Sequence, residues 1–162
     1  MQKIRGNRTK YIILFLGCVI LLLSLLPVSC EGISANCTLL ARLRYPLMHT
    51  SLLHAALNVW CLWVLVFYYG IGSLRIALAY IIAVCEPSLL LPSEPTIGLS
   101  GVCFALLGMN TFHVKRKLYW SKWMFFYLVV GFFLPCVSGG VHLWCFSIGL
   151  CCEWLVNVCG KR

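Results

Sequence analysis

Ser100 lies between the glycines of GLSG, residues 98–101, inside the apolar stretch TIGLSGVCFALLGMN. A serine hydroxyl is a weak nucleophile until a base takes its proton. His142, in SGGVHLWCFSIGL, is a candidate for that base, and the two would form a two-member nucleophilic unit. Upstream, RYPLMHTSLLHAALNVW carries His49, His54 and Asn58 in an otherwise apolar run. On a helix His54 and Asn58 lie about 40° apart and share a face, whereas His49 is about 140° from His54, which places it at the mouth where the helix begins. An oxyanion formed by attack of Ser100 needs preorganised donors, which the backbone N–H of Ser100 and the side chains of His54 and Asn58 can supply. Gly98 and Gly101 let backbone and substrate approach the nucleophile closely. A plainer reading stands beside this one: polar residues in apolar segments also serve as helix-to-helix hydrogen-bonding groups, and a lone membrane histidine is more often a structural donor or pore residue than a base.

The elements that must hold these residues follow from composition. Of 162 residues, 62% are hydrophobic and 10% charged, and the mean hydropathy is +0.94. A soluble domain of this size needs more polar surface, so the chain reads as an all-α integral membrane protein. Its acids are all Glu, at Glu31, Glu86, Glu94 and Glu153, which excludes any triad completed by Asp. The net charge of +9 is confined to particular connections between apolar runs, the pattern of membrane topology rather than of nucleic-acid binding. Eleven cysteines form no CxxC pair and read mostly as small buried hydrophobes, with Cys30 and Cys37 the one pair placed to form a disulfide. There is no HExxH, which disfavours a zinc protease, and no metal or other cofactor is expected.

A basic segment, residues 1–10, precedes a six-span membrane domain over 11–159, and 160–162 form a short tail. The predicted spans are about 11–30, 48–69, 71–85, 97–112, 120–137 and 140–158. The first is longer than the apolar core of a signal peptide and is followed by further spans, so it reads as an anchor. Arg75, near one end of the third, can snorkel to an interface. An even number of spans puts both termini on one side. With that side cytoplasmic, Lys3, Arg5, Arg8, Lys10, Arg75, Lys115, Arg116, Lys117, Lys122, Lys161 and Arg162 all fall there, and the opposite side keeps Arg42 and Arg44 beside Glu31, Glu86 and Glu94. Pro87, Pro92 and Pro95 break the external connection EPSLLLPSEPT.

Helical rise puts Ser100 ~8 Å, His54 ~9 Å and His142 ~3–5 Å below the outer surface of a ~30 Å core, near one level. The fourth span therefore starts inside the membrane, where non-helical backbone must be satisfied by protein or by a water-filled cavity. Gly101, Ala105 and Gly108 make a small-residue face on that span, and His142, Cys145 and Gly149 share a stripe on the last. Close approach of these faces would bring Ser100 to His142. The glycines alone are equally compatible with plain helix packing.

GLSG with a histidine span downstream, and HTSLLHAALN upstream in the form HxxxxHxxxN, closely resemble the rhomboid intramembrane serine proteases over about Tyr45 to Leu155. The resemblance implies a rhomboid-like bundle of six transmembrane helices of the minimal bacterial type, in the cell membrane with both termini cytoplasmic. It implies Ser100 as nucleophile, His142 as general base, His54 and Asn58 joining Ser100 in the oxyanion hole, and His49 supporting the site. It further implies a serine-type endopeptidase whose partners are the bilayer and transmembrane-anchored protein substrates, cleaved near the outer face through an acyl-enzyme. Two positions depart from the family pattern. Cys145 stands where relatives usually have glycine, and Phe104 where many have a tyrosine stacked on the histidine, while Gly149 is retained. The first external segment, roughly Glu31 to Pro46, is also short and lacks a Trp-Arg pair. These departures keep a second expectation open, a non-proteolytic rhomboid-like protein that binds transmembrane helices for sorting or degradation.

Overall fold

A computed structural model of the chain describes residues 2–26, 32–34, 36–87, 95–133 and 137–160. Cys30, and with it the expected Cys30–Cys37 pairing, lies outside the described residues, as do Glu31, Glu94 and most of the proline-rich external connection. The described residues form an all-α bundle of helices α1 (Gln2–Leu23), α2 (Leu39–Arg44), α3 (Leu52–Trp63), α4 (Ser73–Val84), α5 (Ser100–Asn110), α6 (Lys117–Gly131) and α7 (Gly139–Cys159).

α5 is the centre of the bundle. Its apolar residues run all round the helix rather than along one stripe, the pattern of a buried helix. Gly101, Val102, Cys103, Ala105, Leu106, Gly108, Met109 and Asn110 are all buried, and the helix packs most extensively on α7 and next on α4. At 1.5 Å per residue it covers about 16 Å, roughly half of a ~30 Å hydrocarbon core. α7 is by itself long and apolar enough to cross a membrane, α4 and α5 are shorter apolar helices, and Leu39–Leu47 with Leu52–Tyr68 pass the same test as a pair bent by 82°. Many large hydrophobics face outward, among them Phe15, Trp60, Leu74, Phe125 and Phe133. Such a surface is stable when the surrounding solvent is itself apolar.

Several boundaries differ from the sequence-based expectation. The basic leader and the first apolar run share one helix, α1, continuous from Gln2. The second span does not begin at Met48: Tyr45–Leu47 make a 3₁₀ turn around Pro46, Met48 is extended, and helix α3 starts at Leu52. Ser51 caps it, its Oγ accepting from the His54 N–H at 3.2 Å. Such a cap satisfies one of the orphan donors of the first turn. At its other end α3 runs into a π turn, Val64–Tyr68. Arg75 does not simply snorkel: its guanidinium donates to both carboxylate oxygens of buried Glu153, at 2.6 and 3.0 Å, and His113 Nε2 meets the same carboxylate at 2.6 Å. This cluster ties α4 to α7 and to the turn after α5.

The opposite end of α4 is tied to the α2 region. Arg42 Nη1 donates to the carbonyls of Glu86, at 2.5 Å, and Val84, at 3.4 Å. Tyr80 donates to the Leu43 carbonyl, and the Tyr45 hydroxyl to that of Ala83 at 3.0 Å. The Glu86 carboxyl, 1% exposed and just beyond the end of α4, has neither oxygen hydrogen-bonded. Burial pushes its pKa up to about 8, against the opposing pull of the Arg42 charge. The folded chain thus holds this proton more tightly than the unfolded chain does. Its stabilising contribution is complete below the ordinary value of 4.5 and is lost as pH rises through about 8. The thermal midpoint of Glu86→Gln in detergent should therefore gain on that of the wild type between about pH 6 and about pH 9, by an amount worth a few kcal/mol at most. An unchanged difference across that range would contradict the assignment.

Candidate active site

The backbone ahead of Ser100 is held residue by residue. Thr96 exchanges N–H···O bonds with Ile33 at 2.8 and 3.0 Å, the Gly98 N–H donates to the Tyr45 carbonyl at 2.9 Å, and the Leu99 N–H donates to His49 Nε2 at 3.2 Å. Non-helical backbone within the bundle is thereby satisfied by protein, as its burial requires. Helix α5 then starts at Ser100. The N–H groups of its first turn have no acceptor inside the helix and carry the positive end of its dipole.

His49 is accordingly not at a mouth. It is 1% exposed, lies before α3 rather than on it, and acts as an acceptor for the loop that delivers Ser100. Its ring meets that of His54 edge-on at 5.0 Å. His54 is fixed by Thr50, whose Oγ1 is 3.2 Å from Nδ1, and the Asn58 amide nitrogen donates to the His54 carbonyl at 3.1 Å. Gly98 has φ +136°, and a Cβ there would sit 2.8 Å from His54 Cε1 and 2.9 Å from Nε2. Both the left-handed backbone and the ring against it require glycine.

Ser100, His142, His54 and Asn58 all open onto one cavity of about 570 Å³, which continues past Phe104 and Leu107 to Tyr69 and Trp120. The ring of Phe104 stacks on that of His142, with centroids 4.2 Å apart and planes at 17°. Aromatic stacking of this kind fixes the imidazole plane without needing the hydroxyl of a tyrosine. Gly131 also adjoins the imidazole, since a Cβ added there would lie 3.3 Å from His142 Nδ1. Ser100 and His142 are not hydrogen-bonded to each other, a separation common in catalytic pairs before substrate tightens the site.

What holds the two helices together is contact between backbones. A Cβ on Gly108 would lie 2.2 Å from the Phe146 carbonyl oxygen, and one on Gly149 would lie 2.2 Å from that of Ala105. Cys145 is fully buried opposite Gly101, whose added Cβ would meet its Sγ at 3.4 Å. The sulfur occupies room that the missing side chain of Gly101 leaves, so α5 and α7 stay close despite a residue larger than glycine.

Sequence reasoning missed several members of this arrangement. Ser51 and Thr50 stand three and four residues before His54, the spacing of an N-cap and of one helical turn, and that signal was available. Tyr45 and Gly131 gave none, because their roles depend on chain segments distant in sequence. Among the described residues no group of three or more His, Cys, Asp or Glu side chains is arranged to hold a metal ion. Compared with known proteins, the chain matches the family model described as Rhomboid domain over residues 36–158, and no individual curated protein matches it.

Proposed function

Since the chain belongs to the rhomboid family, whose members are integral membrane proteins of intramembrane-protease type, we propose that it is a serine endopeptidase that cleaves transmembrane-anchored proteins near the outer membrane face. The observation that carries the reading is the cavity that Ser100, at the buried start of α5, shares with His142, His54 and Asn58. The chemistry follows from that arrangement. His142 takes the proton of the Ser100 hydroxyl as Oγ attacks the scissile carbonyl. The oxyanion is met by the backbone N–H of Ser100 at the positive end of α5, and by His54 and Asn58. Collapse returns the proton from His142 to the leaving amine, and a water activated by the same histidine hydrolyses the acyl-enzyme. His49 supports the site by holding the Leu99 N–H.

Six crossings with both termini cytoplasmic and the chain in a bacterial cell membrane make up the proposed topology, supported by the positive-inside distribution of Lys and Arg. In that orientation the end of the cavity lined by Thr96 and Ile97, next to the bonds between Ile33 and Thr96, faces the outer side. Purified protein in liposomes should cleave a model single-pass substrate. Binding of that substrate without cleavage by the wild type would instead favour the non-proteolytic alternative.

A further inference from the structure

One turn below the pair Asn58 and Ser100, the same two helices carry a second pair. Cys61 follows Asn58 by three residues on α3, and Cys103 follows Ser100 by three on α5, so each cysteine lies beneath its polar neighbour. The two thiols are side-chain neighbours between α3 and α5, and both line the cavity. Cys103 is 2% exposed and its Sγ donates to the Asn58 carbonyl at 3.5 Å, while Cys61 is only partly buried. An accessible thiol beside a buried one is the arrangement of an attacking cysteine and its resolving partner.

We infer that Cys61 and Cys103 form a dithiol modification site in the floor of the cavity, closed to a disulfide by a small-molecule disulfide that enters from the outer side. The Cys61 thiolate attacks one sulfur of R–S–S–R and displaces RS⁻, leaving a mixed disulfide. The Cys103 thiolate then attacks the Cys61 sulfur and displaces the second RS⁻. The two protons lost by the cysteines leave on the two RSH formed, so two thiols are oxidised as one disulfide is reduced. A thiophilic cation such as Cu(I) held by the same pair would bury a net negative charge among apolar side chains, whereas the disulfide is neutral.

Closure has a geometric consequence. Two neighbouring thiols must come to an S–S length of ~2.05 Å to form the bond. α3 and α5 are thereby drawn together one turn beneath the oxyanion donors and the nucleophile, and the Asn58 carbonyl loses its thiol donor. A displacement on the order of 1 Å in a catalytic arrangement costs about 100-fold in rate. The site itself is independent of the proteolytic reading; its effect on rate rests on it.

The test uses the full-length protein in detergent, treated with increasing oxidised glutathione. Its unreduced digest is read by mass spectrometry, and its cleavage rate is followed before and after reductant. A Cys61–Cys103 linked peptide, together with a fall in rate on the order of 100-fold that reductant reverses, is the expected result. Cys61→Ser and Cys103→Ser should each abolish the linked peptide and the oxidant sensitivity. Exposed Cys151 and Cys159 serve as the internal control. If they carry glutathione while Cys61 and Cys103 stay unlinked in the folded wild type, the site is overturned. A linked peptide with unchanged rate overturns the effect on catalysis. Linkage in a protein already inactive under reducing conditions supports the site and counts against the protease assignment instead.

Discussion

Ser100→Ala should abolish cleavage of a transmembrane substrate, and His142→Ala should lower it by about 10⁴-fold or more, with the fold intact in both. In the proposed mechanism the two residues act as one unit: without the base the hydroxyl keeps its proton, and without the hydroxyl the base has nothing to deprotonate. Either loss should therefore cost nearly as much as both, and the double variant should be no slower than Ser100→Ala alone. What remains after His142→Ala is the contribution of the oxyanion donors and of substrate positioning. Asn58→Ala should fall between, at about 10²–10³-fold, because it removes one donor of several. Initial rates on one substrate in liposomes, with thermal midpoints measured alongside, separate these outcomes from simple unfolding. A His142→Ala rate within tenfold of the wild type would show that some other group takes the proton.

The second large effect is mechanical. Gly149→Ala places a Cβ 2.2 Å from the Ala105 carbonyl oxygen and 2.9 Å from its carbon, atoms of a helix backbone that cannot turn aside as a side chain can. Relief requires α5 and α7 to part by roughly 1 Å, and overpacking of this kind costs about 1–3 kcal/mol. The same movement carries His142 away from Ser100, so the cleavage rate should fall about 100-fold even where the protein remains folded. Gly108→Ala should behave alike, since its Cβ would meet the Phe146 carbonyl oxygen at the same 2.2 Å. Cys145→Ala is the contrast. It lies on the same stripe but faces Gly101 through its own side chain, so truncation leaves a small void and does not push the helices apart. Thermal midpoint and rate should both fall for the two glycine variants; a Gly149→Ala protein of wild-type rate and stability would mean that the close approach does not position the pair.

These effects explain which features could be read from the sequence. The small faces of α5 and α7 follow from spacing alone, because helical periodicity fixes which residues share a side. So does the buried start of α5, from the distance between Ser100 and the basic cluster after it. His49 was misplaced for a local reason. The apolar pattern runs unbroken through Met48, but Pro46 sets a 3₁₀ turn and Ser51 takes the cap, so the helix starts at Leu52 and His49 turns inward beneath the loop. Contacts between distant segments were beyond periodicity altogether. Nothing local in Tyr45 indicates that its carbonyl receives the Gly98 N–H, or in Arg75 that it reaches Glu153. The Cys61–Cys103 neighbourhood likewise appears only when α3 and α5 are packed, because each cysteine alone reads as a small buried hydrophobe.

The role proposed for Ser100 is that of a nucleophile activated within this cavity. A serine-directed fluorophosphonate tests it without any need to know the natural substrate. Applied to the folded protein in detergent, followed by digestion and mass spectrometry, it should leave one phosphonyl adduct, on Ser100, lost in His142→Ala and retained in Cys145→Ala. Folded protein that carries no adduct on Ser100, or labels equally well without His142, would contradict it.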